Sequence, residues 1–251
     1  MEAANGIKAI LFDFDGTLRH HLPNGGEVFT NYVISQGLPI TDEDRRRAIR
    51  WEHYYFASSP EIQADHELFD GEEEGFWFKF TLRRLAALGC PPPLIPELGL
   101  KVSDYMSKSH NSEIWMPEEI HTVIPGLREY GYTLGVVSNR DMPFQHEIDE
   151  MGMRDYFHFS LAAGEVQSWK PEPEVFYAAL ERADATAPQA IYVGDNYFAD
   201  VIGARRAGLQ PVLYDPKGIF HEPGCPVIAS FEDLIGIILC PTRLVSPDLP
   251  G

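Results

Sequence analysis

Positive charge is scarce in this chain: 20 Lys and Arg face 38 Asp and Glu, a formal net charge of −18 at pH 7. Nucleic acid binding relies on clustered basic side chains to neutralise phosphates, so that class of partner is excluded. A small phosphorylated ligand stays compatible, because one bound cation and one lysine reverse the local field. Cysteine is rarer still. Cys90, Cys225 and Cys240 are odd in number and widely spaced, which excludes a disulfide framework and a zinc-type ligand set and leaves buried or incidental thiols. No stretch approaches the ~18 uninterrupted apolar residues of a membrane span, so no membrane partner is expected. Residues 1–6 show neither the basic region nor the apolar block of a secretory leader, and a cytoplasmic protein is expected. Internal repeats are absent. The remaining composition, 44% hydrophobic and 23% charged over 251 residues, is that of a globular chain with one large or two small domains.

Against that ordinary background two aspartates one residue apart are conspicuous. The apolar run Ile7-Lys-Ala-Ile-Leu-Phe12 stops at Asp13-Phe-Asp15-Gly-Thr17, which reads as a buried strand delivering two carboxylates to its carboxyl edge. Like charges this close in a buried place need a cation or a shared proton to relieve them. Three further segments carry polar groups at matching positions. A β-branched run, Thr133 to Val137, ends at Ser138 and Asn139. Lys170 is pinned by Pro171 and Pro173 ahead of an amphipathic helix. Ala190 to Gly194 ends at Asp195, with Asp200 at the start of the next helix. In an open α/β sheet ligands bind outside the carboxyl ends of the strands, so all four groups converge on one site.

These four motifs, Asp13-Phe-Asp15-Gly-Thr, Ser138-Asn139, Lys170-Pro and Gly194-Asp195 with Asp200, resemble in order and placement those of the haloacid dehalogenase superfamily of hydrolases. The resemblance runs from residue 7 to about residue 235.

The pattern predicts an α/β fold: a doubly wound, Rossmann-like parallel sheet with strands at 7–12, 133–138, 158–162, 190–194 and 211–214 and a weaker one at 226–229. Helices are predicted near 143–152, 173–183 and 198–207. Roughly a hundred residues between the first two strands lack β alternation and hold helical stretches near 26–36, 42–58, 72–89 and 95–110, separated by Pro and Gly. The resemblance implies that this insertion is a four-helix-type cap over the active site. The expected domains are a core of residues 1–18 and 119–240, a cap of 19–118, and a loose tail of 241–251.

What the resemblance implies for function is a Mg²⁺-dependent phosphatase acting on a small phosphomonoester metabolite. Asp13 is the expected nucleophile, forming an aspartyl-phosphate. Asp15 is the expected general acid and base, protonating the leaving alkoxide and then activating water. Gly16 and Thr17 offer backbone amides to the phosphoryl oxygens, Ser138 a hydroxyl and Asn139 its amide. Lys170 adds positive charge at the phosphate and the nucleophile. Asp13, Asp195 and the carbonyl of Asp15 are the expected Mg²⁺ ligands. Asp200 either supports those ligands from behind, ligates directly, or stabilises a helix end through the dipole. Arg19 lies close enough in sequence to approach the phosphate, His20 and His21 read as a solvated loop leading to the cap, and the aromatic clusters 51–56 and 76–80 read as helix-packing core.

Two other readings are compatible with these residues. A β-phosphoglucomutase-like phosphotransferase keeps both acids, but its fourth motif typically carries Glu-Asp where this chain has Gly194-Asp195. A non-catalytic phosphometabolite-binding module would normally have lost one of the positions that are intact here. The specific phosphomonoester, whether phosphoglycolate, a nucleotide or a sugar phosphate, and the oligomeric state stay open.

Overall fold

The computed structural model describes residues 6–109 and 111–239; Cys240 and the tail expected at 241–251 lie outside them. Eight strands are present among these residues: β1 (Ala9–Phe12), β2 (His20–Leu22), β3 (Glu113–Trp115), β4 (Thr133–Ser138), β5 (Phe159–Ala162), β6 (Ala190–Gly194), β7 (Gln210–Tyr214) and β8 (Val227–Ile228). The helices are α1 (Gly25–Ser35), α2 (Asp42–Phe56), α3 (Pro60–Leu68), α4 (Glu73–Ala87), α5 (Ile95–Ser109), α6 (Ile120–Glu129), α7 (Gln145–Glu150), α8 (Ala163–Val166), α9 (Pro173–Arg182), α10 (Ile202–Arg206) and α11 (Phe231–Leu239). The chain divides into two compact units, one holding the described residues up to Arg19 and from Met116 onward, the other His20–Trp115.

The first unit is a six-stranded sheet of order β5-β4-β1-β6-β7-β8, with every neighbouring pair parallel. Its central strands are continuous apolar runs because both faces are covered, as parallel sheets require. Ile10, Phe12, Val136 and Val193 pack on one face with Ile124 and Leu127 of α6 and Phe231 and Leu234 of α11. Leu11, Val137 and Tyr192 pack on the other with Val175, Phe176 and Ala179 of α9 and Ala204 of α10. The register sets Phe12 beside Val136 on one side and Val193 on the other, so the chain leaves three neighbouring strands at one edge. That edge carries the site.

α6, α8 and α11 add to the helices read from sequence in this unit. Pro125 lies inside α6, where a proline normally signals a break because it removes a backbone donor. Burial of Ile120, Val123, Ile124 and Leu127 on one face holds the helix together regardless.

The second unit packs Phe29 and Val33 of α1, Ala48 of α2, Leu85 of α4 and Leu98 and Val102 of α5 into its own small core. It contains α3 in addition to the four helices expected. Ser59-Pro60, which reads as punctuation, is a helix start: the Ser59 hydroxyl accepts from the Ile62 amide and Pro60 occupies the first turn, where its missing N–H costs nothing. His20 and His21 lie not in a loop but in β2, which pairs antiparallel with β3; His21 is exposed, as expected, while His20 is half-buried, its ring 5.2 Å from that of Trp115. The aromatic cluster behaves as core at Tyr55 and Phe80, both buried, while Trp77 at its edge is 52% exposed. Among the described residues no helix is long and apolar enough to cross a membrane.

Candidate active site

Asp13 comes directly after the last residue of β1, its amide donating to Val193 O at 2.9 Å so that the strand pairing runs on to the carboxylate itself. The chain then turns back sharply, with the Leu18 and Arg19 amides both donating to Phe14 O and the Gly16 amide to Arg19 O. Gly16 is indispensable to that turn on two counts. Its φ is +95°, and a Cβ there would lie 2.6 Å from the Asp195 carboxylate oxygens. Thr17, buried by the same turn, donates from its hydroxyl toward Asp13 Oδ2 at 3.4 Å and Asp195 Oδ1 at 3.2 Å, and accepts from the Asp195 amide at 3.0 Å.

Lys170 is buried beneath these acids. Its Nζ donates to Asp13 Oδ1 at 2.6 Å, to Asp200 Oδ1 at 2.7 Å and to the Tyr192 hydroxyl at 3.0 Å. The Tyr192 hydroxyl in turn donates to Val137 O at 3.0 Å. The backbone of Lys170 is fixed by Asn139, whose Oδ1 accepts from the Lys170 amide at 2.6 Å and whose Nδ2 donates to Lys170 O at 2.9 Å. The Asn139 side chain therefore holds the lysine in place. Ser138, buried, ends β4 opposite Ala162.

Asp195 leaves the end of β6, and a π-type turn over Tyr197–Val201 comes next, started by Asn196, whose side chain accepts from the Phe198 and Ala199 amides. The turn sends Asp200 inward, where it is 1% exposed. Its second oxygen accepts from the Asn196 amide at 2.9 Å, and a Cβ on Gly194 would lie 2.3 Å from it. Both Asp200 oxygens are thus engaged by protein groups, one by Lys170 and one by the turn.

Two buried acids, Asp13 and Asp200, share one buried cation, with the half-buried Asp195 beside them. Burial is the main force on Asp13, and although Lys170 opposes it, repulsion from Asp200 adds to it, so the Asp13 carboxyl is pushed up to about 7. Asp195 is likewise pushed up to about 7, by burial and by the charge of Asp13. Burial also raises Asp200, opposed by Lys170. Burial acts to strip the Lys170 proton, but Asp13 and Asp200 outweigh it and hold that amine well above its ordinary range. Carboxylate oxygens of Asp13, Asp195 and Asp200 lie within 4.8 Å of one another and could hold a metal ion. The set is all oxygen, suited to a hard divalent cation, and the missing Cβ of Gly16 leaves the cradle beside Asp195 open.

The structure therefore brings Asp13, Thr17, Lys170, Asp195 and Asp200 into one hydrogen-bonded cluster. Asp15 is not part of it: its side chain is 41% exposed and paired with Arg140. Arg19 pairs with Glu147. Two contributors escaped the sequence reading. Tyr192 looks like one more apolar strand residue in Ala190-Ile-Tyr-Val-Gly194, yet a tyrosine in a fully buried strand must find a partner for its hydroxyl, and that requirement was the available signal. Arg140 directly follows Ser138-Asn139, and adjacency to a strand-end motif was the only clue to it.

Comparison with known proteins gives a consistent result. A family model described as haloacid dehalogenase-like hydrolase matches residues 10–213. The ribulose-1,5-bisphosphate 5-phosphatase of Halopiger xanaduensis is 26% identical over 214 residues, covering 83% of this chain and 85% of its own. The glyceraldehyde 3-phosphate phosphatase of Methanothermobacter thermautotrophicus is 26% identical over 219 residues, covering 84% and 87%. Among solved structures, a HAD phosphatase from Thermococcus onnurineus superposes with a TM-score of 0.54 at 24% identity, over 92% of this chain and 98% of that one, a likeness of fold.

Proposed function

Because the chain belongs to the haloacid dehalogenase-like hydrolases, we propose that it is a Mg²⁺-dependent phosphatase that hydrolyses a small phosphomonoester metabolite through an aspartyl-phosphate. The observation that carries this reading is the Asp13 carboxylate, anchored through one oxygen by Lys170 at 2.6 Å with the other turned toward Thr17 and the Asp195 side. A nucleophile needs that fixed orientation. The names of the two phosphatase relatives, both referring to phosphate esters of small sugars, support the substrate class. Residues 1–18 and 119–240 form the hydrolytic core in this reading, and 19–118 the cap that selects the substrate.

Asp13 and Asp195, with the backbone carbonyl of Asp15, would hold Mg²⁺, which when bound supplies charge that neutralises the phosphoryl oxygens. Asp200, with both oxygens engaged, serves instead to hold Lys170 and the turn that presents Asp195. In the first step a carboxylate oxygen of Asp13 attacks phosphorus, the bond from phosphorus to the leaving oxygen breaks, and Asp15 gives that oxygen its proton. In the second, water attacks phosphorus, its proton passes to Asp15, and inorganic phosphate departs as Asp13 is regenerated. Ser138 and the amides of Thr17 and Asn139 receive the phosphoryl oxygens; the Gly16 amide, expected from the sequence to join them, is instead spent on Arg19 O at 2.7 Å in closing the turn. Lys170 favours the phosphate through its charge while its hydrogens orient Asp13, Asp200 and Tyr192.

The test is a phosphometabolite panel assayed with Mg²⁺, with rapid acid quench and mass spectrometry of the peptide containing Asp13. Turnover with a phosphate adduct on Asp13 is expected. Turnover of a substrate with no adduct under single-turnover conditions would refute the covalent route.

A further inference from the structure

Asp15, the group assigned the proton transfers above, is held by nothing in the buried cluster, and its carboxylate is 41% exposed. A different set of charges fixes it. Arg140 donates from Nε to Asp15 Oδ2 at 2.8 Å and from a terminal nitrogen to Oδ1 at 3.1 Å, a two-point grip on one carboxylate. The other terminal nitrogen of Arg140 donates to Glu147. Glu147 accepts through its second oxygen from Arg19, and Arg19 closes the circuit at 3.4 Å from Asp15 Oδ1. Two carboxyl groups and two guanidinium groups thus alternate around a closed ring.

The ring has a rigid floor. The Arg140 guanidinium lies 5.1 Å from the centre of the Phe14 ring and 5.4 Å from that of Phe144, and those two rings stack at 5.0 Å. The Arg140 backbone is anchored as well: its carbonyl accepts from the Gly164 amide at 3.0 Å, in an approach so close that a Cβ on Gly164 would lie 1.9 Å from Asp141 O. Trp169 Nε1 ties the same loop down by donating to Asp141 at 3.1 Å.

We propose that Arg140 is a positioning residue for Asp15, held to that task by Glu147 and Arg19. An isolated exposed ion pair contributes little, but a planar guanidinium fixed at three points orients a carboxylate in a way that a lysine cannot. The bond from Nε to Oδ2 is the short one, whereas Oδ1 has only longer contacts. In turnover Oδ2 stays on Arg140 as the pivot, and Oδ1 carries the proton to and from the reacting oxygen. The inference rests on the assignment of Asp15 as acid and base.

The test follows the burst of alcohol release in Arg140→Ala, Arg140→Lys, Asp15→Asn and the Arg140→Ala, Asp15→Asn double variant, with 4-nitrophenyl phosphate as the aryl substrate and phosphoglycolate or another turned-over alkyl ester as the second. A phenolate of low pKa departs with little proton assistance, whereas an alkoxide needs a donor worth about 10² to 10⁴ in rate. Arg140→Ala should slow the alkyl burst by about 10- to 100-fold, a part of that contribution, and the aryl burst by less than about 3-fold. Arg140→Lys should recover part of the loss, and the double variant should be no slower than Asp15→Asn. If Arg140→Ala does not fold, Glu147→Gln, which keeps Arg140 but loosens its grip, should show the same selective defect in weaker form. Equal losses for both substrates, or losses that multiply in the double variant, would overturn the proposal and leave the ring a structural tie. An Asp15→Asn burst defect independent of the leaving group would overturn the assignment of Asp15 first, and this proposal with it.

Discussion

Replacing Lys170 by methionine removes a charge while keeping a stem of similar length and packing. The side chain is 3% exposed and lies between Asp13, 8% exposed at 2.6 Å, and Asp200, 1% exposed at 2.7 Å. Water therefore cannot take over from the lost ammonium, and two buried acids are left without their cation. Removing one partner of a buried pair costs about 3–5 kcal/mol, and the hydroxyl of Tyr192 also loses a donor. The loss should depend on pH. Burial already raises Asp13 and Asp200 with the lysine present, so without it they hold protons more tightly in the folded state than in the unfolded chain. A folded state that binds more protons gains stability as pH falls. The deficit of Lys170→Met relative to the parent should accordingly be largest near pH 8 and shrink toward pH 5.5. Urea unfolding monitored by circular dichroism, in EDTA so that no divalent ion substitutes for the ammonium, measures it. Hydrogen exchange of peptides from β1 and β6 assigns the loss to the sheet unit. A deficit below about 1 kcal/mol with an unchanged denaturant slope, or one independent of pH, would refute the reasoning.

The sheet was legible because its strands are fully buried runs of apolar residues that end abruptly in polar ones, a pattern with few other physical explanations. Ala9 to Phe12 and Ala190 to Gly194 are buried at every residue, and an aspartate stands immediately after each run. Asp13 and Asp195 stand at those strand ends, whereas Lys170 follows α8, eight residues past the end of β5, and Asp200 lies in the π-type turn after β6. Partners that depend on tertiary approach were not legible. Nothing local in Asp13-Phe-Asp15 says that the second acid turns away to Arg140, 125 positions later. Nor does Ser138-Asn139 say that the asparagine side chain turns to the backbone of Lys170. Both outcomes are decided where loops from separate strands meet, at contacts that no periodicity encodes. Pro60 misled for the opposite reason: a proline is a local signal, and its meaning depends on whether it falls in the first turn of a helix, as Pro60 does, or in an interior held by packing, as Pro125 does.

Asp13→Asn should lower alcohol release by on the order of 10⁴-fold or more while the protein stays folded, since the amide is a poor nucleophile; a wild-type burst would remove Asp13 from the mechanism. Gly16→Ala should cost about 1–3 kcal/mol from its positive φ and, by pressing on the Asp195 carboxylate, weaken Mg²⁺ binding measured by calorimetry by about 10- to 100-fold; unchanged Mg²⁺ affinity in the folded variant would mean that the Gly16 cradle does not serve the metal. The last prediction concerns the helical unit alone. Asp65, 1% exposed, accepts from Arg83 at 2.7 and 2.9 Å and from the Tyr55 hydroxyl at 3.0 Å. Burial acts to raise its carboxyl, but the hydrogen bonds from Arg83 and Tyr55 outweigh it and hold the group below its ordinary value of 3.8. A carboxyl depressed in the folded state stabilises above its unfolded pKa, and that stability is lost as pH falls through the folded one. Asp65→Asn should therefore be less stable than the parent by about 1–3 kcal/mol at pH 6, the cost of leaving buried donors poorly paired, and the gap should narrow as both proteins are taken toward pH 3. Thermal unfolding at the two pH values decides the matter: a gap of the same size at both would show that the ionised carboxylate contributes nothing beyond the shape of its side chain.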